Sequence, residues 1–114
     1  MKNLFRTIVV VLAVAVVLPR NGFADFQKGI DAAQRGDYAT AFKELVPLAE
    51  RGDAFAQFNL GQIHSSRGDY NKALTFYQLA AGQGDVDSQV QLGVMYANGM
   101  GIPQDHEIAF KWFK

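Results

Sequence analysis

The chain has 114 residues, with 11 basic and 11 acidic side chains, no net charge and no cysteine. Its Lys and Arg are scattered singly, without the cation density that phosphate neutralisation demands, so nucleic acid is not an expected partner. Zero Cys excludes a disulfide framework.

The first 24 residues read as an export leader. Lys2 and Arg6 supply a positive start, Ile8 to Leu18 is an unbroken apolar run of 11 residues, and Pro19 ends it. Gly22-Phe23-Ala24 then places small residues where a signal peptidase reads, predicting cleavage before Asp25. A membrane anchor is the rival reading, but a spanning helix needs roughly 20 apolar residues. Loss of Lys2, Arg6 and Arg20 with the leader leaves eight basic against 11 acidic residues, a net −3. The expected destination is the periplasm or the secreted space, with no membrane attachment once the leader is cut.

From residue 25 onward the chain repeats. A shift of 32 residues superimposes Phe26 on Phe58 and Val90, and Gly29 on Gly61 and Gly93. It also places Gly36-Asp37-Tyr38 on Gly68-Asp69-Tyr70 and Ala41 on Ala73. The predicted copies are 25–53, 54–85 and 86–114. The third carries four extra residues in its middle, after which Ala73 maps to Ala109 and Tyr77 to Phe113. Each copy splits into two segments at a Gly-Asp pair. In the second segments, Tyr38, Ala41, Phe42, Leu45, Leu48 and Ala49, then Tyr70, Ala73, Leu74, Tyr77, Ala80 and Ala81, mark one face of a helix. The first segments, around Phe58-Leu60-Ile63 and Val90-Leu92-Met95, are apolar on more than one side, as in helices buried between neighbours.

The tripeptide Arg-Gly-Asp occurs at 35–37, 51–53 and 67–69. An adhesion ligand is one reading of it. Helix punctuation accounts for the same residues: Gly closes one helix in a left-handed conformation, and Asp caps the free N–H groups of the next. The Arg falls in the last turn, where a cation suits the helix dipole. On this basis Asp37, Asp53, Asp69, Asp85 and Asp105 are expected to be N-caps.

The segments Gln57-Phe-Asn-Leu60-Gly61-Gln-Ile-His64 and Gln89-Val-Gln-Leu92-Gly93-Val-Met-Tyr96 resemble the Sel1-like repeat, a relative of the tetratricopeptide repeat. The third copy, "SQVQLGVMYANGMGIPQDHEIAFKWF", carries the Leu-Gly-x-x-Tyr core, the long Gly-x-Gly-Ile-Pro-Gln-Asp turn, and Ala109 with Trp112-Phe113. The first copy departs from the pattern with Lys28 where Leu belongs, and the last stops at Lys114 before the usual closing Ala-Ala and Gly. The resemblance implies an all-α, right-handed solenoid of helical hairpins and a role as an adaptor in assemblies.

A Gly inside a helix costs about 1 kcal/mol against Ala. Gly29, Gly61 and Gly93 at one register therefore predict close backbone approach, with small Ala41, Ala73 and Ala109 opposite. Pro47 removes a helical N–H and is expected to bend its helix tolerably. Glu44, Glu50 and Glu107 fall on outward faces.

Chemistry-bearing residues are few. His64 sits at the register of Tyr96 and reads as a packing residue, and His106 as solvated. The competing reading is a small hydrolase-like enzyme built on His64 with Ser65 and Ser66. Neither His has a carboxylate at ligand spacing, so no metal and no cofactor is expected. Gly99-Met-Gly101 follows a helix rather than a strand, which argues against a phosphate loop. Binding is the better expectation: the first helices of a solenoid build a concave wall. In this register the wall carries Gln27, Gln34, Asn59, Gln62, Ser66, Gln91, Val94 and Asn98, neutral groups suited to an extended peptide backbone. They serve equally as solvated helix faces. The array also lacks a visible polar terminal cap, and Phe110, Trp112 and Phe113 crowd its last helix. That end predicts an end-to-end homodimer, a docked partner, or a shortened piece of a longer array.

Overall fold

Helix boundaries in this protein fall where glycine meets aspartate, and the computed structural model, which describes residues 22–113, shows why. It contains six helices among those residues: α1 (22–34), α2 (Tyr38–Glu50), α3 (Ala54–Ser66), α4 (Tyr70–Gly82), α5 (Val86–Asn98) and α6 (His106–Phe113). The leader expected over 1–24 lies, up to residue 21, outside the described residues. Among the described residues no helix is long and apolar enough to cross a membrane.

Each short turn is built the same way. Gly36, Gly52, Gly68 and Gly84 have φ of 78°, 94°, 77° and 94°, the left-handed region that a residue with a Cβ enters only at a cost. The Asp that follows acts twice. Its N–H closes the preceding helix, as in Asp37 N to Ala32 O at 2.8 Å and Asp53 N to Leu48 O at 3.1 Å. Its carboxylate opens the next: Asp37 accepts from Thr40 N at 3.2 Å, Asp53 from Ala56 N at 3.1 Å and Asp85 from Ser88 N at 2.8 Å. This is a Schellman closure and an N-cap sharing one residue. Thr40 donors also hold the Asp37 carboxyl below the usual carboxylate range. Asp105 caps α6 through Ile108 N at 3.0 Å. Asp69 is the exception to the expected five caps. It makes no side-chain cap bond, because its carboxylate is drawn toward Lys72 Nζ at 3.7 Å and His64 Nδ1 at 3.8 Å. The arginines sit one place beyond the last helical turn, Arg51 and Arg67 being the C-cap residues of α2 and α3.

The helices stack as hairpins into an all-α solenoid, with one core under each junction. The first contains Ala41, Leu45, Leu48 and Ala49 of α2 against Ala56, Leu60 and Ile63 of α3, together with Ala32. The second contains Ala73, Tyr77 and Ala81 of α4 against Leu92 and Met95 of α5. The same register positions therefore meet at both junctions. Pro47 is accommodated inside α2, where Pro47 O still accepts from Arg51 N at 3.2 Å.

The close approach at the glycines differs from the sequence expectation. Each glycine does not face the small Ala but receives the large side chain four residues further along the second helix. A methyl carbon placed on Gly29 would lie 2.7 Å from Leu45 Cγ, and one on Gly61 would lie 2.6 Å from Tyr77 Cε1. At Gly93 the Phe113 ring fills the same space. Ala41, Ala73 and Ala109 are buried beside these contacts and let the helices come near enough to make them. The four-residue insertion forms the turn between α5 and α6. Gly99 ends α5 in the left-handed region at φ 68°, and Gly101 lies against Tyr70, where an added Cβ would stand 2.5 Å from the Tyr70 Cβ.

Candidate functional site

Between α1 and α3 lies a groove of about 300 Å³, lined by Ile30, Ala33, Gln34, Tyr38, Asn59, Gln62, Ile63 and Ser66. Four of the eight wall residues expected from the sequence, Gln34, Asn59, Gln62 and Ser66, thus come together. The apolar floor of Ile30, Ala33, Tyr38 and Ile63 was not part of that expectation. Its signal was present in the register, since Ile30 and Gln62 are equivalent positions on neighbouring first helices.

The polar groups of the groove divide into two kinds. Asn59 Nδ2 donates to its own helix at Phe55 O, 2.7 Å, and Ser66 Oγ to Ile63 O, 2.8 Å. The amides of Gln34 and Gln62 are exposed at the rim. Beside them the Arg67 guanidinium stacks over the Tyr38 ring at 4.8 Å and lies 5.7 Å from the centre of the Phe42 ring. The remaining predicted wall residues are elsewhere. Gln27 donates to Asp31 at 3.0 Å on the exposed side of α1. Gln91, Val94 and Asn98 stand on α5, outside the groove lining, and Asn98 Nδ2 donates to Val94 O at 3.0 Å.

A second, apolar notch of about 520 Å³ lies at the head of the array among Gly22, Phe23, Phe26, Asp53 and Phe55. The Phe26 and Phe55 rings meet edge to face there, 6.5 Å apart.

His64 is locked in packing. Its ring lies between Phe42, 5.0 Å away and 16° from parallel, and Phe76, 5.6 Å away and 3° from parallel. Burial pushes its pKa below 6.5; Asp69 pulls it up, and Lys72 and Arg67 push it down. The Ser65 hydroxyl bonds instead to Tyr77, whose own burial raises its pKa to about 12 against that bond. Ser66 is bonded to Ile63. The elements of a His–Ser nucleophile are present in sequence but committed to separate structural contacts. Among the described residues no three His, Cys, Asp or Glu side chains gather as metal ligands.

Two side chains that sequence reasoning passed over tie the hairpins together. Gln57, 4% exposed, donates to Ala49 O at 3.1 Å and accepts from Gln83 Nε2 at 2.8 Å. Gln89, 32 positions later, donates to Ala81 O at 3.3 Å. Each reaches back to the last turn of the preceding helix and gives a second hydrogen bond to a carbonyl that already accepts from the turn glycine, Gly52 N at 3.0 Å and Gly84 N at 2.9 Å. Their recurrence at one register was the available signal.

At the far end, Trp112 is half-buried in the second core, while Phe110 and Phe113 are 60% and 52% exposed. Phe113 also rests against Gly93. Glu44, expected on an outward face, is instead 13% exposed in its side chain and paired with Lys28 at 3.2 Å.

No curated protein matches the chain significantly. The family model for the Sel1 repeat matches residues 54–85 and 86–114, more than half of the chain, and both matches coincide with the α3–α4 and α5–α6 hairpins. The chain is therefore a member of the Sel1 repeat family.

Proposed function

We propose that this protein is a non-catalytic scaffold of the periplasm or secreted space that holds a peptide segment of a partner in the α1–α3 groove. Sel1 repeats are generally protein–protein interaction modules and typically lack catalysis. The groove supports the narrower reading: an apolar floor of Ile30, Tyr38 and Ile63 is flanked by the exposed amides of Gln34 and Gln62. Such a surface suits a segment with one apolar side chain and a backbone to be hydrogen-bonded. Among the described residues the one cation placed against this lining is Arg67, stacked over Tyr38 at 4.8 Å.

Peptides selected from a display library against the full chain provide the test. Their binding is expected to weaken at least tenfold in the Gln34→Ala, Gln62→Ala double variant. Binders indifferent to that change would refute the groove as the site. Export rests on Lys2, Arg6, the run Ile8–Leu18 and Ala24; sequencing the N-terminus of protein recovered from its native host should read from Asp25. An intact Met1 would refute it.

A further inference from the structure

Tyr38 and Tyr70 hold one register at the starts of α2 and α4. Each is met by the turn that follows the next helix, but by different chemistry. Tyr70 meets the inserted turn after α5: an added Cβ on Gly101 would stand 2.5 Å from the Tyr70 Cβ, and Met100 packs with Tyr70 on the second core. Tyr38 meets a cation. Arg67, the C-cap of α3, sets its guanidinium carbon 4.8 Å from the centre of the Tyr38 ring and 5.7 Å from that of Phe42. Its counterpart one repeat later is Gly99, which has no side chain to do the same. The first junction thus carries a groove with a charge beside it, where the second packs an apolar turn.

That cation is held in place but not neutralised. The carboxylate two residues on, Asp69, turns instead to Lys72 Nζ at 3.7 Å and His64 Nδ1 at 3.8 Å. Among the described residues no carboxylate lies within ion-pair distance of Arg67, and its guanidinium makes no hydrogen bond. Ring faces hold a guanidinium through its charge and flat shape and leave its fork of N–H donors for a planar acceptor. A carboxylate takes that fork through two parallel hydrogen bonds. The two rings matter energetically, because an exposed ion pair contributes little when a long side chain must first be ordered.

Granted that this groove is the peptide site, we infer that it selects segments in which an acidic side chain neighbours the apolar one, with Arg67 holding the carboxylate. The apolar side chain lies against Ile30, Tyr38 and Ile63. The carboxylate follows close in sequence, because Tyr38 is at once part of the floor and the platform of Arg67. The acid is a side chain and not a chain terminus. Exposed amides of Gln34 on α1 and Gln62 on α3 flank the floor from both sides, and they call for peptide groups on both sides of the apolar residue. A basic segment would set like charge against Arg67.

The probes are short peptide pools carrying a neutral fluorescent dye, with a fixed central Leu and flanking positions drawn from Gly and one test residue: Glu, Gln or Lys. All are acetylated and amidated, so every carboxylate belongs to a side chain. Anisotropy titrations of the full chain at low salt should show the Glu pool binding about fivefold tighter than the Gln pool, with the Lys pool weakest. In Arg67→Gln the Glu and Gln pools should bind alike. Gln83 already ends α4 ahead of Gly84-Asp85, so Gln suits this turn and the variant should melt close to the parent. In Arg67→Glu the order should invert, with Lys ahead of Glu. Equal binding of the Glu and Gln pools to the parent, or a Glu preference that survives Arg67→Gln, would overturn the inference. If those pools still weaken in the Gln34→Ala, Gln62→Ala variant, the groove stands as the peptide site and only the acid selectivity falls; if they do not, both fall. An amidated Glu pool outbound by a Gln pool with a free C-terminus, in a manner that needs Arg67, would overturn it too, by placing a chain terminus on the cation. If no pool binds, groove and selectivity fall together.

Discussion

Gly61→Ala should destabilise this protein, although alanine is the better helix former. The added methyl carbon would stand 2.6, 2.7 and 3.1 Å from Cε1, Cδ1 and Cγ of Tyr77, all shorter than ordinary carbon contact. Tyr77 is 2% exposed and lies under α5, so its ring has no space to retreat into. Overpacking of this sort costs about 1–3 kcal/mol. Helix propensity returns about 1 kcal/mol. The net loss is then about 1 kcal/mol, worth roughly 4–8 °C in melting temperature for a domain of this size. Two other glycines serve as internal standards. Gly82→Ala meets nothing within 4 Å and should raise the melting temperature through propensity alone. At Gly93 the obstructing ring is Phe113, half in solvent and able to swing outward, so Gly93→Ala should lie between the two. Circular dichroism melts of the three variants under one buffer give the order. If Gly61→Ala proves as benign as Gly82→Ala, the seam does not require a glycine and the packing argument fails.

Ser88 is 0% exposed and its hydroxyl has no hydrogen-bond partner among the described residues, at a register where α3 carries Ala56. An unsatisfied buried hydroxyl costs about 1–3 kcal/mol, so Ser88→Ala should raise the melting temperature, and a fall would refute the assignment. His64 titrates below 6.5 because it is buried, so the unfolded chain takes up its proton first on acidification. Its contribution is therefore present above about 6.5 and lost as pH falls toward the folded pKa. The melting temperature should decline from pH 7 to pH 5, and His64→Phe, which keeps the stack with Phe42 and Phe76, should flatten that decline.

The repeat made the helix boundaries legible, because a Gly-Asp pair performs the same two local tasks wherever it occurs. Asp69 departs from it through Lys72 and His64, a competition between side chains that the capping pattern does not encode. The glycine seam was legible as a register but not in its partner. Gly29 and Leu45 meet through the reach of a side chain across a hairpin, and spacing along the chain reports only which backbones come near. The groove was half legible for the same reason: Gln34, Asn59, Gln62 and Ser66 share a wall, while Ile30 and Tyr38 reach it only once α1 has been laid against α3.

Lys28 carries the larger lesson. Set against the family pattern it reads as a lapse, a charged residue where Leu belongs. Set against Leu60 and Leu92 at the same register, both 0% exposed, it marks the one junction in the series that has no earlier helix packed on it among the described residues. A solenoid repeat cannot bury its own apolar face, so each terminal face must be either polar or covered. Lys28 and Asp31 meet that requirement on one part of the α1 face, beside the exposed rings of Phe23 and Phe55.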